Sequence, residues 1–234
     1  MRAPIFQSLF SLLCLSSFAL AADQNTLSPE EQKAGWTLLF DGSSTSGWVA
    51  LGKSAFPEKG WSAKDGTLRH EKGGGGGDIV SAKSYLNFEL KWDWQIGEAA
   101  NSGLKYNLAN PTKAVGFEYQ LLDDQKHADG AKPSHQTAAL YDLIPSAPGR
   151  VVMPVGEWNQ SRLLVDGNHV EQWLNGVKTV EFEIGSAELL GKVAASKYAK
   201  AKDFGMKASS PILLQDHGDQ VVFRNLKLRE LPAK

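Results

Sequence analysis

The chain has 234 residues, enough for one domain with a full hydrophobic core. Its formal net charge is −1, from 25 Lys and Arg against 26 Asp and Glu. Such a balance gives no electrostatic reason to bind nucleic acid or an anionic lipid surface.

The first residues predict export. Arg2 is a short positive region, and Leu9 to Leu20 is an apolar run too short to span a bilayer comfortably. Ala19-Leu20-Ala21 then gives the small-x-small pattern of a signal peptidase site. Residues 1–21 are therefore expected to be a signal peptide, with a periplasmic or extracellular protein starting near Ala22. Cys14, the single cysteine, leaves with that segment. Disulfides, thiolate metal sites and cysteine nucleophiles are then excluded. One basic residue also leaves, so the balance becomes 24 minus 26, or −2. No second apolar stretch approaches membrane length, and no membrane span is expected.

Residues 22–34 are polar and read as a lead-in or a short helix around Pro29. From Gly35 to about residue 231 the texture is that of one β-rich domain. Leu86 to Ile96 alternates strictly, with Leu86, Phe88, Leu90, Trp92, Trp94 and Ile96 on one face. Gly116 to Leu122 alternates again, placing Phe117, Tyr119 and Leu121 opposite Glu118 and Gln120. Ser161–Val165 turns at Asp166-Gly167 into His169–Leu174, which turns at Asn175-Gly176, a dipeptide suited to a type I′ hairpin. Val177–Ile184 and Val221–Arg229 complete the clear strands. Many strands with short turns predict an all-β sandwich or barrel. Ser186 to Lys200 departs from this and predicts one accessory helix with Ser186 as N-cap. Gly73 to Gly77 precedes a strand, so it lacks the helix N-terminus of a phosphate loop and reads as a flexible rim loop.

The polar strand faces carry the candidate chemistry. Glu118 and Gln120 lie one pleat apart, as do Gln215 and His217, with Asp216 between the latter two. Asn101-Ser102-Gly103 opens a strand carrying Lys105 and Asn107. Amides and carboxylates offer paired donors and acceptors to sugar hydroxyls, although each pair alone also suits a solvated strand face. Of seven tryptophans, Trp92 and Trp94 read as core. Trp36, Trp48, Trp61 and Trp158 lie near turns, where a ring either packs structurally or stacks on a pyranose. Glu118 and Asp123 have the outline of a two-carboxylate glycosidase pair. Five residues apart, they point to opposite faces, and a retaining pair needs its carboxyls about 5 Å apart. Asp123, Asp124, His127 and Asp129 form an acidic loop, read either as solvated or as oxygen ligands for a divalent ion such as calcium or manganese. Nothing in the sequence requires a cofactor. Arg224 shares its parity with Val222, Leu226 and Leu228, and a buried arginine there needs an ionic partner.

Taken together, ordered blocks of the sequence resemble the 3-keto-disaccharide hydrolase domain family. They run from Gly35-Trp-Thr-Leu-Leu-Phe-Asp-Gly42, Gly47-Trp48 and Asp65-Gly66 through Tyr85–Leu90, Asn101-Ser-Gly103 and Gly116–Asp123. Lys126-His127, Ala139–Leu143, Gly156-Glu-Trp-Asn159 and Asn175-Gly176 follow, then Ser196-Lys-Tyr198, Leu214–Gly218 and Phe223-Arg-Asn225. The sequence departs from the family's pattern at Ser209-Ser-Pro211, Leu213 and Gln136–Ala139, changes that bear on the rim of a site.

The resemblance implies a concanavalin A-like jelly-roll sandwich and a carbohydrate substrate whose sugar carries a ketone at carbon 3. A ketone there acidifies the hydrogen on carbon 2, so one base can eliminate the aglycone from carbon 1, and water can then add to the enone. Glu118 and His217 are the implied base and acid, in either assignment. Asn101, Lys105, Gln120, Gln215, Asp216 and Trp158 are the candidate substrate-binding residues, and Asp123 and His127 the candidate metal ligands. A non-catalytic carbohydrate-binding module and an envelope interaction domain are the competing readings. The sequence does not set the oligomeric state.

Overall fold

A computed structural model describes residues 24–232. The expected signal peptide, residues 1–21, lies outside the described residues.

A short helix α1 (Pro29–Lys33) opens the described chain, capped by Ser28 and Glu31 in a reciprocal capping box. The strands follow as β1 (Thr37–Leu38), β2 (Trp48–Ala50), β3 (Trp61–Lys64), β4 (Thr67–His70) and β5 (Ile79–Tyr85). Next come β6 (Phe88–Ile96), β7 (Asn101–Asn110), β8 (Val115–Leu122), β9 (Asn159–Asp166), β10 (His169–Leu174) and β11 (Val177–Glu183). Helix α2 (Ala187–Ala194) precedes β12 (Ser210–Leu214) and β13 (Val221–Glu230).

The strands form two antiparallel sheets, resolving the sandwich-or-barrel choice left by the alternation in favour of the jelly-roll sandwich that the resemblance implies. The larger runs β11-β10-β9-β6-β13-β4-β3, with β1 on β13; the smaller runs β2-β5-β12-β7-β8. Their inner faces meet through Leu90, Trp92, Trp94, Leu163 and Phe223 on one side and Leu104, Tyr106, Phe117, Tyr119 and Ile212 on the other, all buried. Each large aliphatic or Phe side chain so buried contributes about 1.5–3 kcal/mol. Several polar atoms inside this layer are paired, although Trp92 Nε1 has no partner among the described residues. Trp94 Nε1 donates to Ser161 Oγ at 2.9 Å, and Tyr119 bonds both Ser161 and the Trp173 carbonyl.

Strand β8 would be an open edge, but residues 138–144 cover it. Ala138 N–H donates to the Gln120 carbonyl and Tyr141 N–H to the Glu118 carbonyl. This cover sets Tyr141 beside Glu118.

Four expectations change. The strand begins at Phe88, and Leu86 sits in a turn, 42 % exposed, because the chain bends at residues 86–87. The accessory helix stops at Ala194, short of Lys200. Ser196 Oγ takes the Val193 carbonyl, and Asp142 captures the Lys197 amide, so the helical bonds past residue 194 find other partners. Arg224 does not share a face with Leu226 and Leu228. A bulge at Asn225 reverses the parity, leaving Arg224 on the outer face against Asp93. The glycine loop is tightly seated: a Cβ on Gly60 would stand 1.6 Å from the Gly75 carbonyl oxygen.

Candidate active site

The outer face of the smaller sheet is built from cross-strand pairs. Lys105 on β7 lies opposite Glu118 on β8, and Gly103 lies opposite Gln120. The pleat that sends Leu104, Phe117 and Tyr119 into the core sends these side chains the other way. Lys105 Nζ stands 3.2 Å from Glu118 Oε2 and donates to the Ala114 carbonyl. Both side chains are nearly excluded from solvent, at 9 % and 5 % exposure. A carboxylate so nearly buried needs a cationic partner of this kind.

Glycine at 103 makes room for this carboxylate. A Cβ there would stand 2.6 Å from Glu118 Oε1. Gln120 is completely buried. Its amide nitrogen, turned toward Glu118, donates to Oε1 at 3.1 Å and to the Ser102 carbonyl at 3.3 Å; turned over, it donates to Asn101 Oδ1. With its nitrogen toward Glu118, Gln120 holds the carboxylate in place from beneath.

The segment after β12 forms one rim. Gln215 N–H donates to the Gly103 carbonyl, and its side-chain Oε1 is buried without a partner among the described residues. Asp216 is spent on structure. Its carboxylate accepts from the amides of Gly77 and Gly218, and His70 Nε2 lies 3.1 Å away. It therefore clasps the glycine loop and holds the turn that presents His217. His217 is exposed, with its ring edge-to-face against His127 at 6.3 Å. Asp78 accepts from the Asp216 amide; burial raises its pKa, partly offset by that bond and by the Lys105 charge.

The opposite rim comes from residues that the polar pairs did not reveal. Tyr141 donates from its hydroxyl to Asp129 Oδ2 and stacks on His135 at 4.2 Å. Lys197 Nζ sits 4.1 Å above the Tyr141 ring. Burial lowers the Lys197 pKa, and the charge of Glu118 opposes that shift. Asp142 joins the two segments by accepting from the Lys197 amide, Lys132 and His135. The sequence signal for these residues lay in the blocks Ala139–Leu143 and Ser196–Tyr198.

Two expectations fail on placement. Trp158 lies across the sandwich, on the outer face of the larger sheet, with Arg224 stacked 3.8 Å from its ring. Asp123 and His127 do not assemble a metal site. Asp123 is buried, its oxygens accepting from the amides of Ala99, Gln125 and Lys126, while His127 Nδ1 accepts from Asp129 N–H. Ligand atoms already committed to backbone amides do not fit a divalent ion. Among the described residues, the one three-ligand cluster is His169, Glu171 and Glu181, on β10 and β11. There the Lys178 ammonium already bonds both carboxylates.

The fold and site define a jelly-roll sandwich protein with a recessed carboxylate–lysine pair on the outer face of its smaller sheet. Residues 35–229 match the 3-keto-alpha-glucoside-1,2-lyase-like domain, and the chain belongs to that family. It is 30 % identical over 244 residues to the 3-keto-disaccharide hydrolase of Bacteroides thetaiotaomicron, an alignment covering 90 % of this chain and 83 % of that protein. Two crystal structures from Parabacteroides distasonis ATCC 8503, each described as a "putative glycosyl hydrolase", share its fold. One is 34 % identical with a TM-score of 0.81, covering 90 % of this chain and all of that one. The other is 27 % identical with a TM-score of 0.64, covering 84 % of this chain and 99 % of that one.

Proposed function

We propose that the chain cleaves 3-keto-glycosides by elimination at carbons 1 and 2, followed by addition of water. The observation that carries this reading is the buried Glu118–Lys105 pair at 3.2 Å. Elimination needs one ionised carboxylate beside a cation. Hydrolysis by two acids needs a second carboxyl held opposite, and Asp123, the spaced candidate, is consumed by backbone amides.

In this reading Glu118 takes the proton from carbon 2. The electron pair moves toward the carbon 3 oxygen, which becomes an enolate beside the Lys105 ammonium. The enolate re-forms the ketone as the bond from carbon 1 to the aglycone oxygen breaks. His217, exposed on the rim, donates the proton that the departing oxygen needs. Water then adds to the enone, giving net hydrolysis. Gln120, completely buried, orients the base and does not touch sugar. The relative's name, 3-keto-disaccharide hydrolase, supports the same substrate class. Export through residues 1–21 would put this reaction outside the cytoplasm.

The test is turnover of a 3-keto-trehalose and a 3-keto-glucoside by the mature chain, with and without chelator. Glu118→Gln should abolish loss of substrate. His217→Ala should slow it most for glycosides with poor leaving groups. Near wild-type turnover in both variants overturns the assignment. Unchanged sugar binding without turnover in the wild type would favour a lectin instead.

A further inference from the structure

The outer face of the larger sheet, across the sandwich from Glu118, holds a groove of about 400 Å³. Its floor is two cross-strand rows. Asp93 on β6 lies opposite Gln160 on β9, and Lys91 lies opposite Arg162. Trp173 on β10 pairs with Arg162 and forms one wall. Gly176 leaves the mouth beside it open.

Several polar groups on this floor have capacity to spare. Asp93 spends Oδ2 on Arg224 and Asn225, and Oδ1 has no hydrogen bond among the described residues. Lys91 rests its ammonium 4.6 Å over the Trp36 ring, with no carboxylate in ion-pair range among the described residues. The exposed Gln160 side chain makes no hydrogen bond among them either. The acceptor Asp93 and the amide Gln160 thus stand about 5 Å apart on adjacent strands, with the cationic donor Lys91 two residues along β6 from Asp93. Acceptor, donor and amide together match the mixed donor and acceptor character of sugar hydroxyls. Lining charges of both signs, Lys91, Arg162 and Lys227 against Asp93 and Glu31, with Lys227 paired to Glu31 at 2.8 Å, leave an ion of either sign little net field. The half-buried Trp173 ring supplies apolar surface for a pyranose.

We propose that this groove is a second, non-catalytic site that binds a neutral pyranoside, independent of the Glu118 face. It does not rest on the 3-keto reading. The probes are methyl glucoside and trehalose, which lack the ketone, titrated into the full chain with 15N-labelled tryptophan. Trp173→Phe identifies the Trp173 indole signal. The expected result is a saturable shift of that signal, with a Kd on the order of 1 mM. Gln160→Trp, at an exposed position, should fill the groove and weaken binding at least ~10-fold. Glu118→Gln should leave binding unchanged. No saturable shift of Trp173, a shift insensitive to Gln160→Trp, or a shift lost with Glu118→Gln would each overturn the proposal.

Discussion

The Glu118 side chain lies across Gly103 on the neighbouring strand, its Oε1 only 2.6 Å from where a Cβ at 103 would be. The nearest atoms belong to the side chain and not to backbone, so Gly103→Ala can be accommodated by moving the carboxylate. The expected outcome is a split between stability and turnover. Overpacking should cost about 1–3 kcal/mol, while displacing the base should lower kcat about 100-fold. Thermal melts beside steady-state kinetics on a 3-keto-glucoside would read both. An active Gly103→Ala enzyme would mean Glu118 does not need its present position.

Lys105 and Glu118 should behave as one unit. Lys105→Met leaves Glu118 as a nearly buried, unpaired carboxylate, at a cost of about 3–5 kcal/mol. The double change Lys105→Met with Glu118→Met removes both charges and should recover most of that loss. A double-mutant cycle in urea reports the coupling directly. Additive losses would show that the 3.2 Å pair is not coupled in solution.

The sandwich and the outward pair Glu118–Gln120 were legible because period-two alternation is written locally, residue by residue. Tyr141 and Lys197 were not. They reach Glu118 only because residues 138–144 cover the edge of β8 and because α2 ends at Ala194, two tertiary events without a local pattern. The parity of Arg224 was misread for a related reason. A bulge adds one residue to one strand, and a positive φ at Asn225, an ordinary asparagine in sequence, gives no warning of it. Trp158 looked like a sugar platform because a turn-adjacent ring carries no label for which sheet face it will join.

The glycine loop offers a test of rigidity. The Cβ introduced by Gly60→Ala would meet backbone at Gly75, 1.6 Å away, and the φ of +79° adds strain. Neither neighbour can step aside as a flexible side chain can. The expected loss is at least ~3 kcal/mol, with faster amide exchange at residues 73–77. Turnover should also fall, since Gly77 N–H and Asp216 join this loop to the turn bearing His217. Wild-type exchange in the variant would restore the reading of a loose rim loop.

Asp142 should make the cover over Glu118 sensitive to acid. Its burial alone would raise its pKa. Hydrogen bonds from Lys132, the Lys197 amide and His135 outweigh burial and hold the carboxyl well below its ordinary value of 3.8. The folded protein therefore binds this proton less readily than the unfolded chain does. Its contribution to stability is fully present above pH 3.8 and is lost as pH falls below it, toward the depressed folded value. Asp142→Asn keeps the shape but removes the charge. It should lower Tm at pH 7, and the gap to wild type should narrow steadily as pH falls below 3.8. Because the Lys197 amide is one of the donors, the same variant should loosen Lys197 from Tyr141 and raise KM for a keto-glycoside. A Tm gap of constant size between pH 7 and pH 3 would show that Asp142 acts through its shape and not its charge.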